Sequence, residues 1–234
     1  MKVKAIKTRI FKENEDLLQF ILKYVRKIPE NSALVITSKI VALSEGRTVR
    51  VENEKQKIEL IKKESDYMLR TKYTWLTIKD GTVMASAGID ESNANGKLIL
   101  LPRNSFVSAE LLRNKLKKIF KVKKLGVIIT DSRIFPLRAG IVGTALGYAG
   151  FYGVRDYRGT KDIFGRVLEM SRTDVADSLA ASAVLCMGEG KEQQPLVLIT
   201  DAPIVFTEKI NKKELTINLK DDLYLPLFRR ILKR

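Results

Sequence analysis

Trp75-Leu76-Thr77-Ile78-Lys79-Asp80-Gly81-Thr82-Val83-Met84-Ala85-Ser86 decides the fold class. Two short runs rich in β-branched and apolar residues, 75–78 and 82–86, flank Asp80-Gly81. An Asp-Gly pair tolerates the positive φ angles of a tight hairpin turn. Strands joined this closely must be antiparallel, because a parallel pair needs a crossover of a dozen residues or more.

Towards the N-terminus, 52–69 reads as a charged amphipathic helix with Ile58, Leu60, Ile61 and Met68 as its sparse apolar positions. Residues 33–37 form a short buried strand after the turn Pro29-Glu30-Asn31-Ser32. The segment 16–28 carries Leu17, Leu18, Phe20, Ile21, Leu22 and Val25 at helical spacing, with Asn14 or Glu15 near its start, and 2–6 alternates as a first strand.

Towards the C-terminus, 97–101 is a third strand stopped by Pro102. Ser108 is expected to cap a helix that runs to Phe120, with Glu110 in its first turn. Residues 125–130 form a buried strand ending on Asp131-Ser132. The stretch 140–152 is rich in glycine and small residues, which predicts close backbone packing. Thr173 is expected to cap a helix reaching Met187 and closed by Gly188-Glu189-Gly190; 195–200 is a last strand, and Arg229, Arg230, Lys233 and Arg234 make a basic tail. Helices and hairpins in this order are not a regular βαβ alternation. They predict an α+β fold of mixed sheets with packed helices. No repeat or low-complexity linker divides the chain, so 1–234 is read as a single domain.

Composition narrows the chemistry. The chain has 45% hydrophobic and 30% charged residues, a globular balance, and no apolar run long enough to cross a bilayer. It begins without a signal-peptide core and holds one cysteine, Cys186, so a cytoplasmic, membrane-free protein is expected. With no histidine, imidazole catalysis and His-based zinc sites are excluded. Any metal must sit on oxygen ligands, which favours magnesium or manganese. The net charge of +16 suits a polyanionic partner, but lysines scattered over helix faces give the same sum, and no nucleic-acid-binding module is recognisable.

Three stretches end on acids and glycines: Ala87-Gly88-Ile89-Asp90-Glu91-Ser92-Asn93, Ile129-Thr130-Asp131-Ser132 and Met187-Gly188-Glu189-Gly190. A carboxylate at the end of a buried element is held rigidly yet open to ligand, as hard cations and their phosphate partners require. Each acid taken singly reads better as an ordinary turn or cap residue, and spacing alone does not show that the three converge. Ser38-Lys39 follows a strand, and Glu45-Gly46-Arg47 lies close behind. Lys39 offers a point charge for phosphate and Arg47 a bidentate grip, with a solvated basic loop as the alternative. Arg138, Arg158 and Arg166 neighbour Gly140, Gly159 and Gly165, where they could meet anions or pair with Asp156 and Asp162. There is no Walker loop and no GxGxxG after a strand.

Taken in order, these stretches resemble the γ-glutamyl ligases of coenzyme F-420 biosynthesis, the CofE family. The resemblance continues through Arg138-Ala139-Gly140, Asp156-Tyr157-Arg158-Gly159, Asp162-Ile163-Phe164-Gly165-Arg166 and Val175-Ala176-Asp177-Ser178-Leu179-Ala180, and so spans nearly the whole chain. It implies a two-lobed, largely antiparallel α+β fold that pairs into a homodimer. It also implies a GTP-dependent ligase that joins L-glutamate to a deazaflavin carboxylate acceptor through an acyl phosphate. By matching positions, Asp90 and Asp131 hold one divalent metal, magnesium or manganese, while Ser132 and Glu189 help to hold a second; potassium is a candidate further ion. Thr8, Arg9, Ile10, Phe11, Ser38, Lys39, Asn93, Met187, Gly188 and Gly190 meet the guanine nucleotide, and Asp131 and Arg138 take the catalytic part.

The pattern is broken at three places, one of them the leader, where Thr8-Arg9 and Lys12-Glu13-Asn14-Glu15 lack the usual Pro-Gly character. Leu43 stands where the family carries a second lysine, and Arg133-Ile134-Phe135-Pro136 replaces a stretch containing Phe-Gly-Arg or Asn-Gly-Arg. Two alternatives stay open beside the ligase: a nucleotide-binding homologue that has lost turnover, and a basic nucleic-acid-binding protein.

Overall fold

The structure, a computed structural model, describes residues 1–209 and 211–227. The basic tail of Arg229, Arg230, Lys233 and Arg234 lies outside the described residues. The elements begin with β1 (Lys2–Ile6), α1 (Leu17–Tyr24), β2 (Ser32–Thr37), α2 (Ser38–Ser44), β3 (Thr48–Val49) and α3 (Glu54–Glu64). Next come β4 (Tyr67–Arg70), β5 (Trp75–Lys79), β6 (Thr82–Ala85), a 3-10 turn (Ser86–Gly88), β7 (Leu98–Ile99) and α4 (Ser105–Phe120). The chain continues with β8 (Leu125–Ile134), β9 (Ile141–Ala149), β10 (Val154–Asp156), β11 (Arg172–Asp174), α5 (Val175–Met187) and β12 (Leu196–Thr200). The class is α+β.

The main sheet runs β1-β12-β2-β8-β9 and is mixed; only β2 and β8 pair in parallel. Its interior strands carry unbroken apolar cores, 33–36, 127–129 and 196–199, because both faces are covered there. Leu34, Ile36, Val127 and Ile129 point to one face, where Phe20 and Ile21 of α1 and Leu116 of α4 pack. Val35, Ile128, Val197 and Ile199 point to the other, onto Ala176, Leu179, Ala180 and Ala183 of α5. The expected hairpin forms as β5–β6, and β4 completes a separate three-stranded antiparallel sheet.

The small residues of 140–152 become β9, and their purpose is close approach. A Cβ on Gly143 would lie 2.5 Å from Val184 Cγ2, and one on Gly147 would lie 2.4 Å from the backbone nitrogen of Phe106. The strand is thus clasped between α5 and the start of α4.

Several boundaries differ from expectation. The helix read across 52–69 stops at Glu64, because Tyr67 to Arg70 find backbone partners on β5 instead. Asn104 rather than Ser108 caps α4: its side chain accepts from Val107 N–H, and the Ser108 hydroxyl donates to Glu45 Oε1 at 2.9 Å. Asp174 rather than Thr173 caps α5, and Asp16, not Asn14 or Glu15, caps α1, which ends at Tyr24. Ser38-Lys39, for which a solvated basic loop is the alternative reading, forms the first turn of α2, a seven-residue helix too short for a helical period to register.

Candidate functional site

One cleft of about 770 Å³ opens where the carboxyl ends of β2 and β8 meet the loops after α5 and around Asp90. Carboxyl ends of neighbouring parallel strands are a natural place for a ligand, because the chain must diverge there. Several separate chain segments line it, and those with polar groups fall into four sets.

The first is the crossing segment after β1, represented by Thr8, Arg9, Ile10 and Phe11. Thr8 N–H donates to the Gln193 carbonyl at 2.8 Å, which ties this segment to the loop after α5. Arg9 pairs with Glu15 and lies over the Phe20 ring at 5.2 Å, while Ile10 is left 71% exposed at the cleft mouth.

The second is the start of α2. Ser38 is buried, and its hydroxyl donates to Asp131 Oδ1 at 3.2 Å. The Lys39 ammonium leans the other way and meets Asp90 Oδ2 at 2.7 Å, the Ser92 hydroxyl at 2.9 Å and the Ser92 carbonyl at 3.0 Å.

The third is the turn around Asp90. Ser86, Ala87 and Gly88 are three successive residues with positive φ, a strained path that delivers Asp90 to an antiparallel bridge with Ile99. Gly88 is required there twice over: its φ is +71°, and a Cβ would collide with Leu101 at 2.7 Å. Asn93, also at positive φ, lines the same wall.

The fourth comprises β8 and the end of α5. Asp131 and Ser132 are not past the strand, as the sequence suggested, but inside it, since β8 continues to Ile134. Consecutive strand residues point to opposite faces, so the pair reaches two different elements. Asp131 turns to Ser38 of α2. Ser132 turns to the α5 side, where its hydroxyl donates to Glu189 Oε1 at 2.6 Å. Gly188 closes α5 at φ +76°, and Met187, Gly188 and Gly190 line the cleft with Glu189.

The two aspartates sit in opposite electrostatic settings. Burial works to raise the Asp90 carboxyl, but the Lys39 hydrogen bond and charge, with the Ser92 donors, outweigh it and hold Asp90 below the ordinary range. At Asp131 burial wins: the carboxyl is raised despite the Arg133 charge and the Ser38 hydrogen bond, and the Asp90 charge raises it further. Both carboxylates line the same cleft.

Every residue expected to hold metal or nucleotide lines this cleft; Arg138 does not. It lies exposed in the turn between β8 and β9, among Ile134, Phe135 and Leu137, which are also exposed. Arg47 is likewise committed elsewhere: its Nε donates to the Leu101 carbonyl and its Nη2 to Glu64 at 2.9 Å. Arg158 pairs with Asp156, the structural alternative weighed for it. Sequence reasoning missed Ser92, whose polar atoms clasp both Lys39 and Asp90, and Gln193, whose carbonyl anchors Thr8. Ser92 had a local signal, standing two residues after an aspartate where its N–H can return to the carboxylate. Gln193 acts through its backbone and left none. Arg133 is 7% exposed and reaches away from the cleft to donate to the Val83 carbonyl at 3.2 Å, linking β8 to the small sheet.

With this geometry in view, comparison with known proteins is decisive. Residues 5–201 match the model of the F420-0:gamma-glutamyl ligase family. The chain belongs to this family. Among its relatives, the coenzyme F420:L-glutamate ligase of Methanococcus maripaludis is 34% identical, covering 96% of this chain and 97% of the relative. The ligase of the same name from Archaeoglobus fulgidus is 35% identical, covering 81% and 83%. That of Methanocaldococcus jannaschii is 33% identical, covering 88% and 90%. No helix among the described residues of this family member is long and apolar enough to cross a membrane.

Proposed function

We propose that the protein is a GTP-dependent, metal-dependent ligase that joins L-glutamate to the carboxylate of F420-0 through an acyl phosphate. The observation that carries the reading is the convergence of Asp90, Asp131, Ser132 and Glu189 with Ser38, Lys39 and the Thr8–Phe11 segment on one cleft. Near-full-length similarity to ligases of this name supports the substrates.

The donor set fits hard divalent cations, magnesium or manganese. It is made of oxygens only, and among the described residues no cluster of three or more acidic, histidine or cysteine side chains forms a complete protein cage. Magnesium characteristically takes one or two carboxylates and completes its shell with substrate phosphate and water. In this reading Asp90 and Asp131 hold one cation, and Ser132 and Glu189 help to hold a second. Bound there, the cations would supply positive charge to offset that on the transferring phosphoryl group.

The chain's own residues supply positioning. Ser38 orients the Asp131 carboxylate, and Lys39 offers an ammonium to phosphate oxygens. Thr8, Arg9, Ile10, Phe11, Asn93, Met187, Gly188 and Gly190 grip the nucleotide. An unactivated carboxylate does not acylate an amine. The γ-phosphoryl group therefore moves first to the acceptor carboxylate, and the glutamate amine then attacks the acyl carbon and expels phosphate. This reading also carries the homodimer and the catalytic part for Arg138 that the resemblance implies; Arg138 stands beside the exposed Ile134, Phe135 and Leu137 of the β8–β9 turn, outside the cleft.

The test is phosphate release and glutamyl transfer with GTP, L-glutamate, F420-0 and Mg²⁺ or Mn²⁺. Wild type turns over only with all four present. Asp131→Asn keeps the fold and loses turnover by at least on the order of 100-fold, as for removal of one charge-stabilising group. An Asp131→Asn enzyme as active as wild type would refute the metal assignment.

A further inference from the structure

Lys39 is the residue expected to meet phosphate, yet its ammonium is already fully engaged. An ammonium has three donors and no acceptor. The three acceptors nearest Lys39 are Asp90 Oδ2 at 2.7 Å, the Ser92 hydroxyl at 2.9 Å and the Ser92 carbonyl at 3.0 Å, all on one turn. Asp90 is engaged in return: Oδ1 accepts from Ser92 N–H at 2.6 Å, and Oδ2, besides facing Lys39, accepts from the Ser92 hydroxyl at 3.0 Å. Lys39 and Asp90 thus form a closed ion pair at the point where the proposed function needs both of them open. A divalent cation on Asp90 Oδ2 would sit almost on top of the ammonium, and two cations that close repel strongly in a cleft of reduced dielectric.

We infer that Lys39 is a built-in counter-cation of Asp90, displaced only when a nucleotide phosphate takes its ammonium, so that the metal enters with the nucleotide rather than before it. The inference rests on the nucleotide and metal reading above and adds an order of binding to it. Lys39 sits in the first turn of α2 on a flexible four-carbon stem, and its side chain is about one-quarter exposed. The ammonium can therefore swing to a phosphate without any backbone movement. Ser38, the preceding residue, stays on Asp131 throughout. Because each ligand removes an obstacle to the other, nucleotide and metal must tighten one another's binding by the same factor. The arrangement also keeps Asp90 from collecting a stray cation that has no phosphate to act on.

The experiment is Mn²⁺ binding, followed by the electron paramagnetic resonance of the free ion and corrected by a protein-free titration with the same GTP, to wild type, Lys39→Met and Lys57→Met, with and without GTP and with no glutamate or acceptor. Lys57 pairs with neighbouring Glu91 but not with Asp90, so it controls for a general loss of positive charge. Lys39→Met should bind Mn²⁺ alone roughly five- to tenfold more tightly than wild type, the effect of removing one charged, hydrogen-bonded competitor. Lys57→Met should change it by less than about twofold, as for an exposed pair. GTP should tighten Mn²⁺ binding by a larger factor in wild type than in Lys39→Met. Equal Mn²⁺ affinity of Lys39→Met and wild type overturns the inference, as does an equal gain in both variants. Failure of wild type to bind Mn²⁺ even with GTP instead removes the metal reading itself, and the wild-type arm alone detects that. Lys39→Gln repeats the key arm if the methionine variant does not fold.

Discussion

Replacing Gly143 with alanine sets a methyl group 2.6 Å from the Ala180 carbonyl oxygen and 2.5 Å from Val184 Cγ2. An ordinary carbon–oxygen contact is roughly 3.3 Å, so β9 and α5 must part by about 0.7 Å. Forcing a methyl into a packed interface costs about 1–3 kcal/mol. The displacement also reaches the cleft, because Gly143 pairs with Ser132 across β8 and β9, and α5 ends two residues before Glu189. The Ser132–Glu189 hydrogen bond, now 2.6 Å, would stretch by a similar amount, towards its limit. A misplacement near 1 Å can cost on the order of 100-fold, so a loss of roughly 10- to 100-fold in kcat is expected. Two assays are needed: urea unfolding, where the midpoint should fall with the slope unchanged, and glutamate-dependent phosphate release per folded molecule. Ala149→Gly is the control, since it weakens the same strand by about 0.5–1 kcal/mol without pushing α5. The reasoning fails if Gly143→Ala unfolds at the wild-type midpoint. It fails equally if both variants lose stability but keep full activity per folded molecule.

Other expectations follow from charge and capping. Burial, with the neighbouring Asp177 charge, raises the Asp174 carboxyl from 3.8 to about 6, so its folding contribution is full below pH 3.8 and lost as pH rises through 6. Asp174→Asn keeps the cap oxygen and removes the repulsion; with solvent screening of this exposed residue, it should stabilise by about 1 kcal/mol at pH 7 and by nothing at pH 3, read by thermal unfolding. Glu208, held at about 2 by the hydrogen bonds of Arg113 and Lys117, contributes stability above its ordinary 4.5 that disappears as pH falls through 2. Glu208→Gln should therefore unfold more easily than wild type at pH 7, with the difference closing as pH falls to 2 and below, because at pH 7 it leaves the guanidinium of buried Arg113 without its carboxylate. Asn104→Ala should cost about 1 kcal/mol through loss of the α4 cap. Ser108→Ala should leave α4 intact, and hydrogen exchange of the first-turn amides distinguishes the two.

Much of the architecture was legible in local signals. Asp80-Gly81 marked a hairpin, the unbroken apolar runs 33–37 and 125–130 marked strands covered on both faces, and the glycines of 140–152 marked a close approach. Local signals failed where long-range pairing competes. Tyr67 to Arg70 carry helical spacing but bond to β5, and Ser108 is a competent cap that Glu45 engages instead. Arg47 looked free to hold phosphate until Glu64, seventeen residues away, took its guanidinium.

The acids of the cleft divide in the same way. By itself the sequence determined that any metal here must bind oxygen, because the chain has no histidine and one cysteine, and it singled out Asp90, Asp131 and Glu189 as carboxylates beside buried elements. Only the tertiary structure decided that they line one cleft. Asp90 comes from a turn bridged to Ile99, Asp131 from inside β8, and Glu189 from beyond α5, positions brought together by sheet order and by the close contact at Gly143. Composition and periodicity report a residue's chemistry and its immediate surroundings. Convergence of distant segments is a property of packing, and no short window of sequence contains it.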